Sequence, residues 1–209
     1  FGAVKEQASG LYAQTMAERG FLTLAFDPSY TGESGGEPRN VASPDINTED
    51  FSAAVDFLTA LPNVDAERIG IIGICGFGGM GLNAAAMDTR IKATVASTMY
   101  DMSRVNANGY FDAEDSADDR NKKREMMNVI RTRDAQSGTI TPGVHGLPDS
   151  ITGEEPQFVK DYFDYYKTNR GFHVRSINSN GAWSPTMTLS FIMVKMPIRV
   201  ILVRMLSKS

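Results

Sequence analysis

The sequence has few of the residues from which metal centres, disulfides and catalytic bases are usually built. It contains one cysteine, Cys75, and two histidines, His145 and His173, in 209 residues. A single cysteine excludes an intramolecular disulfide and a cysteine-based zinc site. It also fits a reducing compartment. We therefore expect no metal and no cofactor, and a cytoplasmic location.

Long hydrophobic runs and an excess of positive charge are also missing. No apolar run approaches the roughly 18 residues of a membrane span, and the formal net charge is -4. An acidic chain without a basic face is not typical of nucleic-acid-binding proteins. We expect a small-molecule partner rather than a nucleic acid or a membrane. Assembly as a homodimer stays open.

The lone cysteine stands in the most informative stretch of the chain, Arg68–Leu82. Ile69–Ile74 contains only isoleucine and glycine, which is typical of a strand buried on both faces of a parallel sheet. Glycines follow Cys75, and Leu82–Met87 is good helix-forming material. A strand, a sharp turn and a helix are the order of a nucleophile elbow. There the turn exposes the side chain, and the helix N-terminus favours a thiolate.

Two other interpretations of this turn stay open. A cysteine at the end of a buried strand is often a small core residue. A glycine-rich turn before a helix can also bind a phosphate. However, the pattern G-x-x-x-x-G-K-[ST] is missing, and Gly73, Gly76 and Gly78 lack the G-x-G-x-x-G spacing. The local pattern therefore favours a nucleophile over a structural cysteine, and both over a phosphate loop.

The first hundred residues have the pattern of an α/β fold. Helical periodicity covers Lys5–Arg19 and Asn47–Leu61. Besides Ile69–Ile74, buried strands are predicted at Phe21–Phe26 and Ile91–Ser97. Helices and strands that alternate in this way form a parallel sheet with right-handed crossovers.

After about residue 100 the pattern changes. Helices are predicted at Asp115–Arg133 and Gln157–Lys167, and the next predicted strand is Ile198–Val203. Tyr110 and Trp183 are candidates for lining a pocket, although aromatic residues more often belong to a core. We predict three parts: an α/β core over residues 1–99, a mainly helical insertion over 100–192, and a core strand with a tail over 193–209.

In combination, several segments resemble the α/β-hydrolases, in particular the branch related to dienelactone hydrolase. The resembling segments are Lys5–Gln7, the loop Phe26–Arg39, the turn Gly73–Gly79, and Ser97–Asp101, with Arg170–Trp183 similar to the lid of bacterial members. The resemblance covers most of residues 1–192. It implies an α/β-hydrolase-like, mostly parallel sheet flanked by helices. It also implies a mainly helical lid after the strand that follows the elbow.

The resemblance also implies roles for single residues. Cys75 matches the nucleophile, and Gly76 would donate the first oxyanion N–H. The second donor would be Phe1 or a residue just before it. Asp101 occupies an alternative acid position, with a capping or turn role as an equal alternative. The other candidates for substrate binding are Phe77, Tyr30, Tyr100 and Trp183.

The sequence departs from the family pattern in three ways. Phe77 is bulky where the family has a small residue, and an alignment on the paired glycines would put Gly76 at the nucleophile position. No carboxylate follows Ile198–Val203, where the family has its acid. The family's histidine lies further on, and neither His145 nor His173 matches it. The chain also begins without methionine, so we expect terminal parts of the fold to be missing.

The predicted function is hydrolysis of an ester, lactone or thioester of a small acyl substrate through Cys75. An acyltransferase on the same scaffold is one alternative. A catalytically inactive α/β-hydrolase-like binding domain is the other.

Overall fold

The computed structural model describes residues 1–141 and 147–181. These residues form two compact units. Phe1–Ala42 and the described part of Ile140–Ser184 make up unit 1, and Ser43–Thr139 lie in unit 2. His145, Trp183 and the predicted strand Ile198–Val203 lie outside the described residues. The division of the sequence at residues 99 and 192 stays a prediction.

The described residues contain two strands, seven α-helices and two 3-10 turns. In chain order they are α1 (Ala8–Ala17), α2 (Pro44–Thr59), the turn Ala66–Arg68, β1 (Ile69–Ile74), α3 (Gly76–Met87), β2 (Ile91–Ser97), α4 (Met102–Asn108), the turn Tyr110–Asp112, α5 (Ala117–Ser137), α6 (Gln157–Tyr166) and α7 (Ile177–Asn180). The predicted strands at β1 and β2 and the helices at α1, α2, α3, α5 and α6 are confirmed.

The centre of unit 2 is a parallel pair of strands. In the ladder, Gly70 of β1 lies opposite Ala93 of β2, and Ile74 lies opposite Ser97. Parallel strands end at the same edge of a sheet. The N–H of Cys75 donates to the carbonyl of Ser97 at 2.9 Å and so extends the ladder by one bond. The residues that follow β1 and β2 therefore lie next to each other at the same edge of the sheet.

Helix α3 packs on both strands and on α2. Its close approach to β1 depends on Gly73, because a Cβ atom there would lie 2.5 Å from the carbonyl oxygen of Phe77 and 2.8 Å from the Cα of Gly78. Apolar side chains from all four elements are buried around α3. They are Phe51, Val55, Ile69, Met80, Ala84 and Ile91.

Unit 1 is organised around a buried carboxylate. Asp27 accepts hydrogen bonds from the backbone N–H of Lys5 at 2.7 Å and of Glu33 at 2.9 Å, and from Nζ of Lys5 at 3.1 Å. Farther along the same loop, the Arg39 guanidinium donates to the carbonyl of Gly32 at 2.9 Å. These bonds connect the first residues of the chain to the loop that ends at Asn40.

The prediction of a buried strand at Phe21–Phe26 is wrong. This segment forms no strand, and the residues Phe21 and Leu22 are 57% and 50% exposed. A strand needs a neighbour to pair its backbone groups, and the ladder in the described residues contains β1 and β2 only. Burial of β1 on both faces is also not seen throughout, since Ile69 is buried and Gly70 is exposed.

Beyond β2, the described residues contain helices and no strand. The longest helix, α5, has no buried residue. Throughout residues 1–141 and 147–181, every helix is too short or too polar to cross a membrane.

Candidate functional site

The turn between β1 and α3 has an unusual backbone. Cys75 immediately precedes α3 with φ 58° and ψ -128°. A residue that has a Cβ atom rarely adopts a positive φ. Such a backbone conformation costs on the order of 1–3 kcal/mol. Hydrogen bonds hold it in place: the carbonyl of Cys75 accepts from the N–H of Gly78 at 3.0 Å and from that of Tyr100 at 3.2 Å. The half-buried thiol therefore stands at a strained, fixed position.

A small cavity lies at the N-terminal end of α3. One face of α3 lines it, because Gly76, Gly79, Met80 and Asn83 follow the i, i+3, i+4, i+7 spacing of a helical stripe. The rest of the lining comes from Pro44 and Thr48 of α2 and from the segment 99–103 after β2. Its interior volume of about 20 Å³ admits one water-sized group.

The polar groups on this cavity are incompletely paired. Asn83 donates through Nδ2 to the hydroxyl oxygen of Thr48 at 3.2 Å. Its other amide atom, Oδ1, is buried, and so is Oγ of Ser103; neither has a hydrogen-bond partner among the described residues. A buried polar atom without a partner costs about 1–3 kcal/mol. Such atoms in a native fold call for an explanation.

Two tyrosines flank the turn. The backbone N–H of Tyr100 binds the carbonyl of Cys75, and the ring of Tyr100 packs edge to face on that of Tyr110, with centroids 6.1 Å apart. Desolvation raises the pKa of the Tyr110 phenol, and the nearby Tyr100 and Cys75 add to the increase. The Tyr110 hydroxyl therefore stays neutral at physiological pH and can donate a hydrogen bond. Of the predicted residues, the structure brings Tyr100 and Tyr110 together beside Cys75.

Asp101 has a structural role. It caps α4, because its Oδ1 accepts from the N–H of Arg104 at 2.9 Å. Asp101 also lines the cavity. The capping alternative is thus confirmed, and a catalytic role for Asp101 stays a prediction.

Phe77, predicted to contact substrate, packs against the core. Its ring lies 6.2 Å from that of Phe51, at a tilt of 57°. This contact between α3 and α2 explains a bulky residue two places after Cys75. The predicted contact of Phe77 with substrate is untested.

The other predicted site residues with described positions belong to unit 1. The carbonyl of Phe1 accepts from Nδ2 of Asn178 at 2.7 Å. Tyr30 adopts a positive φ of 70° within its loop. His173 accepts through Nδ1 from the N–H of Arg175 at 3.3 Å, which stabilises a local turn. The functional roles of Phe1 and Tyr30 stay predictions, as does that of Trp183.

Three polar residues of the cavity are not among the site residues predicted from the sequence: Thr48, Asn83 and Ser103. A signal for Asn83 was present, since it falls two turns after Gly76 on the stripe that begins at the turn. Ser103 closely follows β2, at the sheet edge where the turn lies. Among the described residues, no three His, Cys, Asp or Glu side chains come together as a metal site.

Comparison with known proteins gives the chain a family context. Residues 46–135 match the family model described as "BAAT / Acyl-CoA thioester hydrolase C terminal". The chain is 62% identical over 198 residues to the protein PA2218 of Pseudomonas aeruginosa, a match that covers 95% of this chain and 52% of the relative. A crystal structure of PA2218 superposes with a TM-score of 0.88 at 60% identity, covering 96% of this chain and 62% of that one.

More distant matches carry names with an activity. The α/β hydrolase GrgF from Penicillium sp. sh18 superposes with a TM-score of 0.69 at 20% identity, covering 92% of this chain and 61% of that one. The fold is that of the α/β-hydrolases. A thiohydrolase of Aspergillus aculeatus, aneE, is 36% identical over 96 residues, 46% of this chain and 30% of the relative. The polyketide transferase claH of Penicillium crustosum is 36% identical over 80 residues, 38% of this chain and 26% of the relative.

The α/β-hydrolase fold predicted from the sequence is thereby confirmed. The branch related to dienelactone hydrolase stays a prediction. The chain spans about half the length of the curated relatives it matches, 52% and 55% for two of them.

Proposed function

We propose that this α/β-hydrolase chain carries the nucleophile of a thioester hydrolase, and that the nucleophile is Cys75. The observation that supports this most is the backbone of Cys75, with φ 58° and ψ -128°. Strain of this kind persists only where the surrounding structure enforces it, and it is concentrated at functional sites. In an α/β-hydrolase, a strained turn between a strand and a helix is the place of the nucleophile.

Gly76 would stabilise the charge that develops on the substrate. It is the first residue of α3 and lines the cavity. The first N–H groups of a helix have no partner within that helix. The N–H of Gly76 can therefore donate to an oxyanion, with the partial positive charge of the helix N-terminus adding to the effect.

The reaction would proceed in two steps. The sulfur of Cys75 attacks the thioester carbonyl carbon, the oxyanion accepts a hydrogen bond from the N–H of Gly76, and the leaving thiol departs with a proton. Water then attacks the acyl-enzyme and releases a carboxylic acid. The edge-to-face pair of Tyr100 and Tyr110 would form a wall for the acyl group. A small acyl thioester as substrate agrees with the matched family model and with the thiohydrolase relative.

The test measures covalent modification of the Cys75 thiol. Because Cys75 is the single cysteine, the intact mass after brief exposure to iodoacetamide or to an acyl-CoA thioester reports on this site alone. We expect one added alkyl or acyl group in the native protein and none in Cys75→Ala. Cys75→Ser is the matched control, because it replaces the thiol with a hydroxyl group of similar size. A native thiol that reacts only in denaturant, with no acyl adduct, would contradict the proposal and favour an inactive binding domain.

An acyltransferase is the second candidate. The relative claH, named a polyketide transferase, favours it. The two activities differ in what accepts the acyl group. If an added alcohol or amine captures the acyl-enzyme in preference to water, the activity is transfer. If the free acid remains the main product at high acceptor concentration, it is hydrolysis.

A further inference from the structure

Oδ1 of Asn83 and Oγ of Ser103, which lack a hydrogen-bond partner within residues 1–141 and 147–181, indicate the chemistry of a ligand. Both residues line the cavity at the N-terminal end of α3. Asn83 already uses its Nδ2 group toward Thr48, so its remaining buried atom, Oδ1, is an acceptor. Ser103, only 2% exposed, offers a hydroxyl that both donates and accepts.

A hydroxyl group has both the donor and the acceptor that these two atoms require. It can donate its proton to Oδ1 of Asn83 while its oxygen accepts from the hydroxyl of Ser103. A carbonyl or an ether oxygen has no proton to donate to Asn83. An ammonium ion would be expensive to bury against the Met80 and Met102 lining. The interior volume of about 20 Å³ fits one such group.

We propose that Asn83 and Ser103 form a binding site for a single hydroxyl group. Its ligand is a water molecule or the hydroxyl of a hydroxylated acyl chain. A hydroxylated acyl chain as the source rests on the proposed function. Gly76 lines the cavity and directly follows Cys75, so an acyl group bound to Cys75 would start beside this cavity. The site also links three helices, since Thr48 lies on α2, Asn83 on α3 and Ser103 on α4.

A double-mutant cycle in urea tests the site without any activity assay. Ser103→Ala should lower the unfolding midpoint, because it removes one of two partners of the bound hydroxyl. Ser103→Ala combined with Asn83→Ala should lower it by less than the sum of the single changes, since one ligand joins the two side chains. The control cycle pairs Asn83→Ala with Asn106→Ala, whose amide binds the carbonyl of Met102 at 2.8 Å. That cycle should be additive.

Two results of this cycle would overturn the proposal. If Ser103 has no ligand, its removal relieves an unpaired buried hydroxyl, and the midpoint of Ser103→Ala stays unchanged or rises. Additive effects of Ser103→Ala and Asn83→Ala would also contradict a shared ligand. Neither result depends on whether the protein is an enzyme.

A kinetic comparison then identifies the source of the hydroxyl. The probes are the butyryl and 3-hydroxybutyryl thioesters of N-acetylcysteamine, which differ by one hydroxyl. If the substrate supplies the group, Ser103→Ala should reduce kcat/KM for the hydroxylated thioester about fivefold more than for the plain one. If water supplies it, both values change by the same factor. Failure to turn over either thioester would count against the proposed function, while the urea cycle still decides the hydroxyl site.

Discussion

The loop Asp27–Asn40 and the turn at Cys75 both contain non-glycine residues at positive φ, but they treat their polar groups in opposite ways. In the loop, Tyr30 and Asn40 have φ values of 70° and 62°. The side chains of Asp27 and Arg39 pair with backbone groups around them. At the Cys75 turn, the conformation is fixed instead by the close packing of α3 on Gly73 and by backbone hydrogen bonds to the Cys75 carbonyl.

This difference distinguishes strain that serves the fold from strain that, under the proposed function, serves a site. In the loop, a buried carboxylate satisfies the backbone groups, and its own charge is offset by Lys5 at 3.1 Å. Beside the Cys75 turn, the buried Ser103 hydroxyl and one atom of Asn83 have no partner among the described residues. A region that completes its own hydrogen bonds has few polar groups left for a ligand, and we therefore propose a ligand only for the second region.

The largest effect is expected at the glycine that lets α3 approach β1. In Gly73→Ala, the new Cβ would lie 2.5 Å from a backbone oxygen and 2.8 Å from a backbone carbon, so the helix must move. We expect a loss of about 3 kcal/mol in the free energy of unfolding. Urea denaturation measures it.

Gly35→Ala is the matched control in the loop. Nothing lies within 4 Å of a Cβ atom at Gly35, so its effect should stay within about 0.5 kcal/mol. Equal losses at Gly73 and Gly35 would show that close glycine packing does not distinguish the two regions.

The next effect concerns the buried carboxylate of the loop. Asp27→Ala leaves two backbone N–H groups without their acceptor and removes one of the three carboxylates that accept from the Lys5 ammonium. We expect a loss of about 2 kcal/mol. Glu33→Gln is the comparison, since the side chain of Glu33 is 53% exposed and surface ion pairs contribute about 0–1 kcal/mol. If Asp27→Ala were as mild as Glu33→Gln, the loop would not depend on its polar network.

A smaller effect should come from the strain at Cys75. Glycine adopts a positive φ without the Cβ penalty, so Cys75→Gly should be more stable than Cys75→Ala by about 1 kcal/mol. Both variants remove the thiol and should show the same loss of acyl-enzyme formation. Thermal and urea unfolding compare them. Equal stability of the two variants would contradict stored strain at this turn.

The smallest effect is a pH dependence of stability, to which one carboxyl group in each unit contributes. Hydrogen bonds from Arg90 lower the pKa of Asp88 from 3.8 to about 2. Because the folded-state pKa is the lower one, this contribution to stability is present above pH 3.8 and is lost as the pH falls through about 2. In unit 1, backbone N–H groups at Thr152 and Gly153 lower the pKa of Glu155 to about 2.

Carboxyl NMR titration separates the two causes. Arg90→Gln should return the pKa of Asp88 toward 3.8 and leave that of Glu155 unchanged. An unchanged Asp88 pKa in this variant would mean that its partner is not Arg90.

Local patterns explain why much of unit 2 could be predicted. The isoleucine–glycine run of β1 and the glycines after Cys75 are signals within a few residues of one another. Even so, the start of α2 was predicted at Asn47, whereas the helix begins at Pro44. Proline is favourable at the first helical position, and the side chain of Asn47 accepts from the N–H of Ser43 at 2.9 Å.

The remainder depends on contacts that a local pattern does not contain. The apolar run Phe21–Phe26 is compatible with a strand, but a strand exists only where a neighbouring strand pairs with it. That Asn83 of α3 and Ser103 of α4 line one cavity becomes visible only in the folded structure. Local patterns and the family resemblance thus lead to Cys75, Gly76 and Asp101, whereas neither leads to the polar residues Thr48, Asn83 and Ser103 of the cavity.

The position of the single thiol also gives the protein an internal probe of its motions. Cys75 is half-buried and joins β1 to α3, so any opening of this junction adds to the rate at which the native thiol is alkylated. Measured against urea concentration, that rate distinguishes local opening, which exposes little new surface, from global unfolding, which exposes much more. No label has to be introduced, because the sequence contains no second cysteine that could react.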